Sequence, residues 1–344
     1  MERVQVQEAK EQAHQVARDG KITIITHRPG ERELPWAKFL LGPWAGEVVE
    51  DPDRSLVLPG SLVISQRPDH LKSKVLGRMR RLGSVGLFHV DDASYRSRLD
   101  AYGSFAFVWR THYHTALDGL SVRQLPIGPR GLDPVPVVPL DAARRPVGER
   151  LYTWSFTGTL STARHTMLDA LASVDGGTTA LGPVTDDTAA FEVLADSVFA
   201  PCGMGHTHLE AARIYAALEL GAIPIVERRR WLDYFGMLYG TDHPLPSVRS
   251  WWEAPELLRR LMADQQALSA LQRRCVDWWA ATKARLAADA QDDVEQCLVG
   301  LRTPDVFGPL DKPAPRWRNR IEMLRQQDAV GLRQRVKSLG RPPS

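Results

Sequence analysis

The sequence predicts an α/β protein made of two Rossmann-like lobes, on three observations. At 344 residues the chain exceeds the ~250–300 residues at which a single core stops growing. Short apolar strands alternate with helical segments twice over, a pattern that argues for parallel sheets buried on both faces. Between the two series lies Leu132 to Gly148, with Pro134, Pro136, Pro139 and Pro146, which lacks helical periodicity and reads as a linker.

The elements follow in order. A short polar helix is expected over about residues 3 to 18, before the β-branched strand Lys21 to Thr26. Ser61 to Ser65 is a second strand, followed by a basic amphipathic helix through Arg81. Ser84 to His89 and Phe105 to Trp109 are the third and fourth strands. After the linker, Tyr152 to Phe156 is a strand, Ser161 to Ser173 a helix, and Phe191 to Phe199 a further strand or short helix. Glu210 to Leu220 is a helix ended by Gly221, and Ala222 to Val226 a strand. Helices are expected over Ala254 to Met262 and Asp264 to Ala287. Trp251, Trp252, Trp278 and Trp279 read first as packing residues and second as a sugar-stacking platform. The expected domains are residues 1–135, a linker over 136–150, a second lobe over 151–290 and a basic helical extension over 291–344.

With 43% hydrophobic and 25% charged residues and a formal charge of +3, the chain has the composition of a folded globular protein. It lacks the concentrated positive field of a nucleic-acid binder. The basic excess gathers late: between Lys312 and Arg341 nine Lys or Arg residues face only Glu322 and Asp328. That run reads first as a solvated helical tail, and second as a contact for an acidic partner or an anionic membrane surface. Cys202, Cys275 and Cys297 show no spacing for zinc or a disulfide framework, so no metal site is expected. Met1 to Gly20 has no apolar core of a signal peptide. A cytoplasmic location is expected, or the Golgi lumen where an anchor precedes the chain.

Two segments of the second lobe suit a phosphate anion. In Phe156 to Arg164 a strand enters a hydroxyl-rich turn that opens a helix. Gly158 lets backbone approach an anion, Thr159 offers donors, and Arg164 lies within reach. The competing reading is a plain N-capped helix with a surface arginine. In Ala200 to Glu210 a strand end runs through Gly203, Gly205 and His206 into the helix that carries Arg213. A lone Gly-x-Gly is weak by itself, and the arginine behind it adds to the signal.

The run from Glu210 to Glu227 resembles the signature of exostosin-type glycosyltransferases, and especially the ribitol-phosphate xylosyltransferase branch and its bacterial relatives. Pro201, Gly203, Arg213, Gly221, Ile223 and Pro224 match that pattern, as do Phe156, Gly158 and Arg164. The resemblance covers roughly residues 60 to 235. It implies a GT-B fold, two Rossmann-like lobes around a central cleft. It also implies an inverting, metal-independent transfer from a nucleotide-sugar, which is a substrate and not a cofactor, to a glycan or polyol-phosphate acceptor. Neither Asp91-Asp92 nor Asp186-Asp187 forms a spaced DxD motif.

Three residues after the helix arginine such relatives carry a ribose-holding glutamate, where this chain has Ala216. Glu219 or Glu210 is expected to take its place, or donor affinity is reduced and the chain is a catalytically inactive nucleotide-sugar or glycan-binding relative. An inverting displacement also needs a base on the acceptor side. Asp92 falls where relatives show a Gly-Asp-Glu motif and leads, with His89 second; the alternative is that Asp91 and Asp92 merely cap a helix. Arg110, Tyr113 and His114, at another strand end, are expected on the acceptor side. An oxidoreductase is disfavoured, since no GxGxxG follows the first strand.

Overall fold

The computed structural model describes residues 20–27, 31–50, 59–93, 97, 99–112, 122–182, 187–204, 208–228 and 233–301. The expected helix at residues 3 to 18, the basic run from 312 to 341, and Gly205, His206, Tyr113 and His114 lie outside them. The described chain forms two separate sheets in which every strand pair is parallel.

The first sheet holds β1 (Ile22–His27), β2 (Ala45–Glu50), β3 (Ser61–Ser65), β4 (Val85–His89), β5 (Phe107–Arg110) and β6 (Val122–Gln124), in the order β2-β1-β3-β4-β5-β6. Its side chains alternate between two cores, as the period of a strand requires. Ile24, Leu62, Ile64, Phe88 and Trp109 face a core shared with the second lobe, where Trp36 and Leu40 of α1 (Leu34–Leu41) also lie. Ile25, Val63, Leu87 and Val108 face a separate cluster, which Met79 of α2 (Ser73–Leu82) helps to close. Gly86 is required where it stands, because a Cβ there would lie 2.2 Å from the Phe107 ring.

The second sheet holds β7 (Tyr152–Gly158), β8 (Gly177–Leu181), β9 (Ser197–Cys202), β10 (Ile223–Glu227) and β11 (Ser247–Val248), in the order β11-β10-β9-β7-β8. Read from β8, this repeats the order of the first sheet: the second strand lies outside the first, and the chain then crosses to the other side. Each sheet therefore has its topological switch point beside its first strand, where ligands bind at the carboxyl edge of open α/β sheets. α4 (Thr162–Leu171), α5 (Asp187–Ala195) and α6 (Ala212–Leu220) provide the crossovers. α6 ends at Gly221, φ 73°, where a Cβ would lie 2.4 Å from the Ala143 carbonyl of α3 (Asp141–Arg144). The expected linker thus contains this short helix. Arg150 closes the segment by donating to the carbonyls of Ala142, Ala195, Ser197 and Leu220.

Beyond α7 (Tyr234–Tyr239) and α8 (Ala254–Met262) comes α9 (Gln265–Leu298), 34 residues without a break, about 51 Å long at 1.5 Å per residue. Asp264 caps it by accepting from the amides of Gln266 and Ala267. It runs past residue 290, where a domain boundary was expected, and straps both lobes. Gln272 donates to the Gly221 carbonyl, Trp279 packs on Tyr215 and Trp36, and Asp293 accepts from the Trp109 indole at 2.7 Å. Trp251 and Trp279 are buried as packing residues, whereas Trp252 is 64% exposed. No helix of the described residues is long and apolar enough to cross a membrane.

Candidate functional site

β7 ends at Gly158, whose φ of 138° is open to glycine and strained for other residues. The chain then turns into α4, where Ser161 caps the helix by accepting from the Arg164 amide. The Arg164 guanidinium folds back, donating from Nη1 to the Thr159 carbonyl at 2.7 Å. It stands 5.6 Å from the centre of the Phe156 ring, and the Arg213 guanidinium, from α6, stands 5.2 Å from the same ring. Arg213 also donates to the Ser155 carbonyl at 2.6 Å and to Thr157 Oγ1 at 2.9 Å. β9 enters from the other side of β7 and passes into Gly203, where a Cβ would lie 3.0 Å from Met167 Sδ and 3.6 Å from Arg164 Cγ. Gly158, Thr159, Arg164, Gly203 and Arg213 therefore meet at the switch point between β7 and β9.

Among the described residues no carboxylate forms an ion pair with Arg164 or Arg213, and the Nε of each is buried without a hydrogen-bond partner. Burial lowers the Arg213 pKa to about 10 and lowers that of Arg164. The nearby Cys202 thiol is pushed up to about 12 by burial, so near neutral pH it supplies no counter-charge. Two desolvated cations side by side are stabilised by an anion placed between them and the helix N-termini.

The two expected substitutes for the missing glutamate are committed elsewhere. Glu219 lies on the side of α6 that faces α9, accepting from Trp279 Nε1 at 2.7 Å and from Lys283 Nζ at 2.8 Å. Glu210 is buried where the lobes meet and accepts from the hydroxyls of Tyr215 and Tyr234 and, across the lobes, from the Ile127 amide. Ala216 itself is 4% exposed within the shared core.

In the first lobe His89, Asp92 and Arg110 form one buried cluster with Tyr102. Arg110 donates to Asp92 Oδ2 at 3.0 Å and to both His89 Nδ1 and the Tyr102 hydroxyl at 2.7 Å. Asp92 Oδ2 also accepts from the Ser97 amide. His89 Nε2 faces the Gln66 carbonyl at 3.2 Å, which makes it the donor nitrogen and leaves Nδ1 as an acceptor facing the Tyr102 hydroxyl at 2.6 Å and Arg110 Nη1 at 2.7 Å. Burial first, and then the Arg110 charge, hold the His89 pKa well below its usual value.

Sequence reading missed a further constellation. His112, His208 and Glu210 bring a ligand atom each to within 4.8 Å of one another. His112 follows β5 and His208 precedes α6, so the group joins residues almost a hundred positions apart in the two lobes. No spacing rule connects them. In the structure His112 is a non-glycine residue that adopts φ 54°.

No family model matches the chain, and no curated protein matches it. Among solved structures, TarM is similar over 72% of this chain and 55% of its own length, with 8% identity and a TM-score of 0.32. The chain thus spans about half the length of that structure.

Proposed function

We propose that this chain is an inverting glycosyltransferase of GT-B architecture that uses a nucleotide-sugar donor, with Arg164 and Arg213 holding the donor diphosphate. The observation that carries the anion reading is the placement of two arginines, without carboxylate partners among the described residues, on one Phe156 ring at the switch point of the second sheet. The sugar-transfer reading rests on the exostosin-type resemblance of residues 60 to 235.

In the proposed reaction an acceptor hydroxyl oxygen attacks the anomeric carbon, and the bond from that carbon to the diphosphate breaks. The nucleoside diphosphate leaves with the bonding electron pair, and the two guanidiniums stabilise the charge it gains. Gly158 and Gly203 admit the phosphates close to backbone, and Thr159 borders the same turn. Gly205 and His206, which follow Gly203 in the sequence, belong to the same proposed donor site. Asp92 takes the acceptor proton, while Arg110 and His89 position it, since the His89 lone pair is already directed at Arg110. The acceptor is a glycan or polyol phosphate. With two cations facing the diphosphate, turnover is expected not to rise on adding magnesium or manganese.

Replacing Arg213 or Arg164 with Gln should weaken nucleoside-diphosphate binding by about 1.5–3 kcal/mol, or roughly 10- to 150-fold, the range for a charge-assisted hydrogen bond. Isothermal titration measures this. Wild-type affinity in both variants would move the donor site elsewhere. A second reading, an inactive nucleotide-sugar-binding relative, is favoured by one observation: Ala216 is buried and Glu210 and Glu219 are bound to other groups. Release of nucleotide from a panel of nucleotide-sugars in the presence of acceptor separates the two.

A further inference from the structure

We propose that His112, His208 and Glu210 form a binding site for a divalent transition-metal cation of the zinc type, linking the two lobes. This inference does not depend on the sugar-transfer reading, because the cation is held by residues separate from the arginines that face the diphosphate.

The ligand set is the first argument. Two imidazoles and one carboxylate are the three-ligand set of open zinc sites, whose fourth position is left to water or substrate. Magnesium and calcium prefer all-oxygen surroundings, so nitrogen ligands select against them. The His112 and His208 rings lie 4.5 Å apart between centres, and His112 Nδ1 is 4.0 Å from Glu210 Oε2. A movement of about an ångström brings such atoms to the ~2.0–2.2 Å ligand distances of zinc.

The surroundings are the second. A ligating carboxylate is normally oriented by outer hydrogen bonds, and Glu210 accepts from Tyr215, Tyr234 and the Ile127 amide. His112 and Glu210 are buried while His208 is only partly so, which gives a cation an approach from the His208 side. The Glu210 amide donates to His208 Nδ1 at 3.1 Å. A cation bound at Nε2 displaces the proton there, the ring must then carry hydrogen on Nδ1, and that one hydrogen bond is given up.

The test uses the full chain stripped of metal by a chelator and dialysed, then titrated with zinc against a chromophoric chelator. The expected result is one zinc per chain at micromolar affinity or tighter, with cobalt in its place giving the visible absorption of a four-coordinate site. His208→Ala, at a partly exposed position, should weaken zinc by at least about 100-fold, the upper end of what loss of an outer-shell partner causes. His112→Ala should do the same, and zinc should raise the melting temperature of the wild type and not of the variants. Absence of stoichiometric binding in the wild type overturns the proposal. So does wild-type affinity in His208→Ala, which is expected to fold whatever happens to His112→Ala.

Discussion

In the first lobe Arg110 meets Asp92, and Arg130 meets Glu33 and Asp91. In the second lobe Arg164 and Arg213 share a phenylalanine ring, and no carboxylate pairs with them among the described residues. The two sheets have the same strand order, so the contrast does not come from topology. It comes from what the sequence places on the carboxyl edges. A buried arginine paired with aspartate holds a structure together, and removing one partner strands the other. A pair of desolvated arginines without an acid is held at a cost, and an anion offsets it. Arg150 shows why position must be part of the argument. It too is served by carbonyls, but it precedes β7, at the edge of the sheet opposite to the one where ligands bind.

The largest effect should come from breaking the first lobe's pairing. Arg110→Met would leave Asp92 buried without its cation and His89 and Tyr102 without a shared donor, at a cost of about 3–5 kcal/mol. Chemical denaturation measures this. If the variant unfolds like the wild type, the Arg110–Asp92 pair does not stabilise the first lobe. Arg213→Gln should show the opposite profile, with stability little changed and nucleoside-diphosphate affinity reduced.

A smaller effect, resolved by pH, comes from His89 in the same cluster. Its folded-state pKa lies well below 6.5, with burial as the main cause. The unfolded chain therefore takes up a proton that the native chain refuses. The stability associated with neutral His89 is fully present above about pH 6.5 and is lost as pH falls toward the depressed value, by up to about 1.4 kcal/mol per pH unit. His89→Gln can accept from Arg110 and donate to the Gln66 carbonyl, and it removes the titration. Its denaturation midpoint should fall less steeply than the wild type's between pH 6.5 and 5. Equal slopes would mean that His89 is accessible to protons in the native state.

The strands were legible because parallel, doubly buried strands leave short apolar runs rich in β-branched residues, such as Leu62 to Ile64 and Ile223 to Val226. β8 was missed for the same reason inverted. At the sheet's edge, with most of its residues exposed, Gly177 to Leu181 carries no apolar pattern. β2, also an edge strand, was missed likewise. α9 was expected to stop at Ala287, yet it continues to Leu298 because Ala290, Val294 and Cys297 keep the buried stripe going at helical spacing. Arg164 and Arg213 were picked out by the glycine turns that precede their helices, and both stand beside the Phe156 ring. The commitment of Glu219 to Lys283 was not, since its partner lies 64 residues away on a helix whose path no local pattern fixes.

That commitment leads to the smallest expected effect and tests the second lobe's own paired carboxylate. Glu219 and Arg213 are six positions apart on α6, which puts them about 120° apart around the axis at 3.6 residues per turn. Arg213 reaches β7, and Glu219 reaches Trp279 and Lys283 of α9. A ribose bound beside Arg213 would therefore meet a different face of the helix. Glu219→Gln keeps the size and an acceptor for Trp279 and removes the charge beside Lys283. Stability should fall by about 1–3 kcal/mol, the cost of weakening a buried charged contact. Nucleoside-diphosphate affinity should stay within about twofold of wild type, well under the tenfold that 1.4 kcal/mol represents. A loss of tenfold or more, with stability unchanged, would mean that Glu219 holds the ribose. Glu219 would then act in place of the glutamate absent at Ala216, and Arg213 alone would no longer define the donor face of α6.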